Sequence, residues 1–193
     1  MIKKTIAKLL FKFHGWKLVG KPIPIEAQRC VFVFAPHTSN WDWYLGTLCL
    51  MAWGVPMKVV IKDFWTKFPL SIAIKPLGGV GIDRSPNPDG TKKNQVEKLA
   101  SVFEHNEEIA FVITPEGTRA PRNQWKTGFY YIAQHAKVPI VTLGANTTTK
   151  TIEFGPVFQP GETLDVVMTE MMEFYKGSVA IYPENFKLDE RYI

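Results

Sequence analysis

The sequence predicts an α/β fold, a layered sheet flanked by helices, and three observations predict it. Short β-rich runs, mostly apolar on both faces, alternate with stretches of helical periodicity, as in a sheet covered on each side. The chain has 193 residues, 46% hydrophobic and 21% charged, which suits one domain with a real core and falls short of two. Polar clusters stand directly after the strand-like runs, where α/β sheets gather their ligands.

The first element is an amphipathic helix. Ile2, Ile6, Leu9, Leu10 and Phe13 share one helical face, while Lys4, Lys8 and Lys12 repeat at i, i+4 on another. Residues 1–29 hold seven basic groups against Glu26 alone, a local charge of +6; the net charge is +5, so the other 164 residues sum to −1. A nucleic-acid binder would spread lysine and arginine over a face of its fold, so no nucleic-acid partner is expected. An apolar stripe beside a lysine stripe fits a helix lying on an anionic membrane surface; the plainer alternative is a helix docked on its own domain. Residues 1–29 are therefore read as a basic membrane-docking segment and 30–193 as a single globular domain.

Strands are expected at 30–35, 57–61, 80–82, 109–113 and 140–143. Helices are expected at 42–53, 91–106, 128–137 and 163–175. In the second, Val96, Leu99, Ala100 and Phe103 share a face; in the last, Leu164, Val167, Met168, Met171 and Tyr175 are in register. The longest uncharged run, Trp43 to Met57, is 15 residues broken by Gly46, Gly54 and Pro56, short of the roughly 20 a bilayer needs. Lys8 and Lys12 interrupt what would be the apolar part of a signal peptide. The expected location is the cytoplasm, peripheral on the cytoplasmic face of the membrane. Cys30 and Cys49 lack metal or redox spacing and read as buried free thiols.

Three clusters carry chemistry. His37 follows the first core strand, and Asp42 stands five residues on. A histidine is a ready general base because its ordinary pKa of about 6.5 leaves it neutral near pH 7, and a carboxylate can orient it. Ser39-Asn40-Trp41-Asp42 equally fits a capping box, in which Asp42 only satisfies backbone donors. Arg84 ends the run Gly81-Ile82-Asp83-Arg84, and Pro115-Glu116-Gly117-Thr118-Arg119 follows another strand. Two arginines at neighbouring strand ends could clamp a phosphate, or could simply form surface ion pairs with Asp83 and Glu116.

Taken in order, His37…Asp42, Ile82-Asp83-Arg84, Pro115-Glu116-Gly117-Thr118-Arg119 and Val138-Pro139-Ile140-Val141 resemble the motifs of the glycerolipid acyltransferase family, over roughly residues 30–145. The resemblance implies a glycerol-3-phosphate acyltransferase-like fold with an N-terminal amphipathic helix. It implies transfer of a fatty acyl group from acyl-CoA or acyl-carrier protein to a lysophospholipid hydroxyl, with 1-acyl-glycerol-3-phosphate as the expected acceptor. Other acceptors, a lyso-ornithine lipid or glycerol 3-phosphate, fit the same motifs, and a non-catalytic membrane-binding protein is the alternative of another class. His37 and Asp42 would be catalytic. Arg84, Glu116, Gly117, Thr118, Arg119 and Lys126 would bind substrate, with no metal and no cofactor beyond the thioester co-substrate. The chain departs from the family pattern at Pro36, Thr114, Ala120 and Thr142.

Overall fold

The computed structural model describes residues 2–62, 64, 67–74, 78–82 and 95–193. Among the described residues, seven strands form one sheet: β1 (Lys17–Gly20), β2 (Arg29–Ala35), β3 (Met57–Lys62), β4 (Gly79–Ile82), β5 (Ile109–Ile113), β6 (Ile140–Asn146) and β7 (Thr151–Phe158), in the order β1-β7-β6-β2-β5-β3-β4. Strands β2 to β6 run parallel; β7 is antiparallel to β6, and β1 is parallel to β7. The helices are α1 (Ile2–Phe13), α2 (Asn40–Trp53), α3 (Ser71–Ile74), α4 (Gln95–Ala100), α5 (Gly128–Ala136) and α6 (Leu164–Tyr175). This is the layered α/β arrangement the sequence predicts.

Strand β2 shows how the layers form. Its side chains alternate, so Val31, Val33 and Ala35 enter one core while Cys30, Phe32 and Phe34 enter the other. The first core is roofed by α4, α5 and α6, among them Leu99, Phe129, Ile132, Met168, Met171 and Tyr175. The second is roofed by α1 and α2 through Ala7, Phe11, Leu45, Leu48 and Cys49. A strand buried on both faces has to read as a near-continuous apolar run, and Cys-Val-Phe-Val-Phe-Ala does. Cys30 and Cys49 are free and fully buried, and burial pushes the Cys49 thiol up to about 12.

Two strands go beyond the predicted set. β1 has four residues, mostly exposed, too few to show a period. β7 contains Gly155 and Pro156, which obscure its alternation. Pro156 is tolerated because β1 covers β7 only from Thr151 to Phe154, leaving the outer edge at Pro156 unpaired. Its carbonyl accepts from the Thr142 hydroxyl (2.8 Å) at a register shift in β6, which gives that departure from the family pattern a local role.

Helix α1 docks on α2, but by an unexpected face. Ala7 and Phe11 are buried, Phe11 meets Trp53 edge-on (5.3 Å), and the Lys8 ammonium lies over the Trp53 ring (5.9 Å). The predicted apolar stripe stays outside: Leu9 is 64% and Phe13 85% exposed. At the end of α1, His14 packs edge-on against Trp41 and Tyr44, and the Tyr44 hydroxyl lies 3.4 Å from His14 Nε2. Residues 2–29 thus share a core and the sheet with the remainder. Of the helix expected at 91–106, residues 91–94 lie outside the described residues; the rest is α4 followed by a 3-10 turn at Ser101–His105.

A cavity at the carboxyl ends of the central strands

His37 and Glu116 meet because β2 and β5 are parallel neighbours, Val33 pairing with Ile113, so both chains leave the sheet on the same edge, β2 two residues later. After β2 the chain leaves through α2 toward β3; after β5 it leaves through α5 toward β6, on the other side of β2. Connections departing in opposite directions open a crevice at this point of a parallel sheet. A cavity of about 710 Å3 occupies it.

The His37 loop is built on a helix cap. Ser39 caps α2, its hydroxyl accepting from the Trp41 and Asp42 amides at 3.1 Å each, and Asp42 answers as the partner of the capping box. Asp42 Oδ2 accepts from the amides of Thr38 and Ser39 (2.6 Å each), the Thr38 hydroxyl (2.8 Å) and the Ser39 hydroxyl (3.1 Å). Being only 4% exposed at a helix N-terminus, the carboxylate has its charge met by donors and dipole. The structural role read from Ser39-x-x-Asp42 is therefore real. No ring hydrogen bond joins Asp42 to His37: Nδ1 of His37 is buried without a partner among the described residues. Asp42 reaches the ring through its charge. Burial lowers the His37 pKa, the Asp42 charge partly opposes this, and the Arg119 charge adds to the lowering.

Glu116 is turned away from the cavity. It is 4% exposed, and Oε1 accepts the His37 backbone N–H at 2.8 Å while Oε2 is buried without a partner among the described residues. Burial pushes its carboxyl up to about 7, against the pull of the His37 amide. Gly117 follows at φ +66°, so the backbone calls for glycine, and a Cβ there would lie 2.8 Å from Cε and Nζ of the flexible Lys126 side chain. Lys126 thereby lies across the turn, and its amide donates to the Pro115 carbonyl (2.8 Å). Gly117, Thr118, Arg119 and Lys126 all line the cavity beside His37. Asp83 and Arg84 lie outside the described residues; β4 leads up to them, ending at Ile82.

The sequence reading missed the apolar wall. Trp43, Val59, Leu99, Val112, Ile113, Phe129 and Ile132 line the same cavity. In sequence they are indistinguishable from core residues, because lining a cavity and filling a core use the same side chains. One space thus offers a neutral imidazole, two cations and a greasy wall. That set can take a proton from an alcohol and hold an amphiphile bearing an anion.

A family model described as Acyltransferase matches residues 18–146, more than half of the chain. No curated protein sequence matches it. Among solved structures, the chain is similar to the crystal structure of the 1-acyl-sn-glycerophosphate (LPA) acyltransferase, PlsC, from Thermotoga maritima. The TM-score is 0.57 at 17% sequence identity, over 90% of this chain and 73% of that one. At that identity the likeness speaks for the fold.

Proposed function

The chain belongs to the acyltransferase family, and from that premise we propose that it moves a fatty acyl group from acyl-CoA or acyl-carrier protein to the hydroxyl of 1-acyl-glycerol-3-phosphate. The observation that carries this reading is that His37, Arg119, Lys126 and an apolar wall share one cavity. His37, kept neutral by burial, takes the proton of the acceptor hydroxyl as its oxygen attacks the thioester carbonyl. The C–S bond then breaks, and the imidazolium returns its proton to the departing thiolate. The nearby Asp42 charge favours that imidazolium while it lasts. Arg119 and Lys126 pair with the acceptor phosphate, and the apolar lining takes hydrocarbon.

The exposed stripe on α1, beside its lysines, supports a place on an anionic membrane surface, where a lysophospholipid acceptor would reside. Among the described residues no helix is long and apolar enough to cross a membrane.

The test is acceptor-dependent consumption of an acyl thioester. His37→Ala should lower it by about 10²- to 10⁴-fold while the protein stays folded; a folded variant with normal turnover sinks the mechanism. Arg119→Ala should raise the KM for lysophosphatidic acid about tenfold or more. An unmoved KM would point to an acceptor without phosphate.

A further inference from the structure

The cation-bearing wall of the cavity has no helix or strand of its own between Ile113 and Gly128. What ties it to the body is a segment distant in sequence. Asp189 is fully buried, and its carboxylate accepts the Trp125 amide at 2.8 Å. It also accepts from Arg191: the amide at 3.1 Å, Nε at 2.9 Å and Nη2 at 2.7 Å. Arg191 Nη2 donates in turn to the Trp125 carbonyl (3.1 Å), so both polar groups of Trp125's backbone are held by this pair. The Trp125 indole N–H donates to the Lys187 carbonyl (2.9 Å), and the Glu190 amide donates to the Asn123 carbonyl (3.0 Å). Trp125 itself is 3% exposed, packed on Tyr175 and Phe186.

From this joint a path runs to the chemistry. Trp125 is followed by Lys126, whose amide is bound to Pro115 and whose side chain lies on Gly117. Glu116, between them, holds the His37 amide. Immediately before this segment, the Tyr182 amide donates to the Thr38 hydroxyl beside His37 (3.3 Å). We infer that Asp189 is a positioning residue for phosphate binding: through Trp125 it fixes Lys126 and the Pro115–Arg119 turn at the cavity. A fully buried carboxylate meeting four donors is a stiff joint, because its loss would leave the buried Trp125 amide unmatched. The strap 183–193 therefore sets the spacing of cations that a loop alone would leave variable. A purely stabilising role would predict a lower melting temperature and nothing else.

This inference rests on the phosphate-acceptor reading above, so the test has two arms. Asp189→Asn is compared with the natural protein by peptide-resolved amide hydrogen exchange. Steady-state kinetics follow, with lysophosphatidic acid and with monoacylglycerol, at a temperature where both proteins are folded. Faster exchange across residues 115–127 is expected. The KM for lysophosphatidic acid should rise about tenfold with kcat within about twofold, and the KM for monoacylglycerol should stay put. Unaltered exchange in 115–127 overturns the strap whatever the substrate, and so does a KM that is unmoved or rises equally for both acceptors. A natural protein that ignores lysophosphatidic acid overturns the proposed acceptor instead, while exchange still decides the strap. If Asp189→Asn fails to fold, Arg191→Gln carries both measurements, its side chain being 42% exposed.

Discussion

Two groups stand side by side at the site, the half-buried His37 and the buried Glu116, with pKa values pushed in opposite directions. His37 is lowered, so it stays a base at a pH where an ordinary imidazole would be half charged. The acid limb of kcat/KM should therefore lie below the ordinary value of 6.5, read from a pH–rate profile with the thioester assay. Glu116 is raised from 4.5 to about 7, which has a consequence for stability. Between those two values the unfolded chain releases a proton that the folded protein keeps, so this residue makes stability fall as pH rises from 4.5 to about 7. The lowered His37 contributes a slope of the other sign, because there the unfolded chain binds the extra proton. Glu116→Gln removes only the first. Thermal melts across this range should show the variant's stability rising relative to the natural protein as pH increases. A constant difference would mean that Glu116 keeps its ordinary titration.

Among the elements, α2 decides where the His37 loop sits, because the cap of the helix and the loop are one structure. Its distance from β2 is set at Gly46, where an added Cβ would lie 2.9 Å from two atoms of the Phe34 ring. Phe34 is 2% exposed and has little room to yield. Gly46→Val should cost about 1–3 kcal/mol by overpacking. Gly128→Ala, at the start of α5 with nothing within 4 Å of the new Cβ, should gain about 0.4–1 kcal/mol. Denaturant titrations of both would check the pair; a like sign would contradict the packing account. These elements also mark what could be read in advance. The β2 run, the α6 register and the order of the motifs were legible because each is a local string with a period or a turn at its end. The partner of Glu116 was not, since it depends on β2 and β5 being neighbours, which no local pattern states. Nor was Asp189: an Asp and an Arg two residues apart look like a solvated surface pair until Trp125 is packed over them. Whether Arg84 joins the cavity is outside the described residues, although its place after a strand was plain from sequence.

At the scale of the whole molecule, the sheet separates two cores, and α1 covers one of them without hiding its own apolar stripe. Seven basic groups in the first 29 residues accompany that stripe. Replacing Leu9 and Phe13 together by glutamate should reduce recovery with anionic vesicles by more than about tenfold, with the melting temperature held. Raising salt should weaken the natural protein's binding as well. Equal recovery of variant and natural protein, or indifference to salt, would remove α1 from the interface.

The aromatic junction of His14, Trp41 and Tyr44 has a kinetic meaning. It rivets the end of α1 to the beginning of α2, immediately after the His37 loop. Were α1 to lie in lipid as proposed, the His37 imidazole would be held at a fixed height above the head groups, and the search for an acceptor would become two-dimensional. Turnover would then follow the crowding of acceptor within the leaflet rather than its amount in the tube, and padding the vesicles with inert phospholipid would slow a fully bound enzyme.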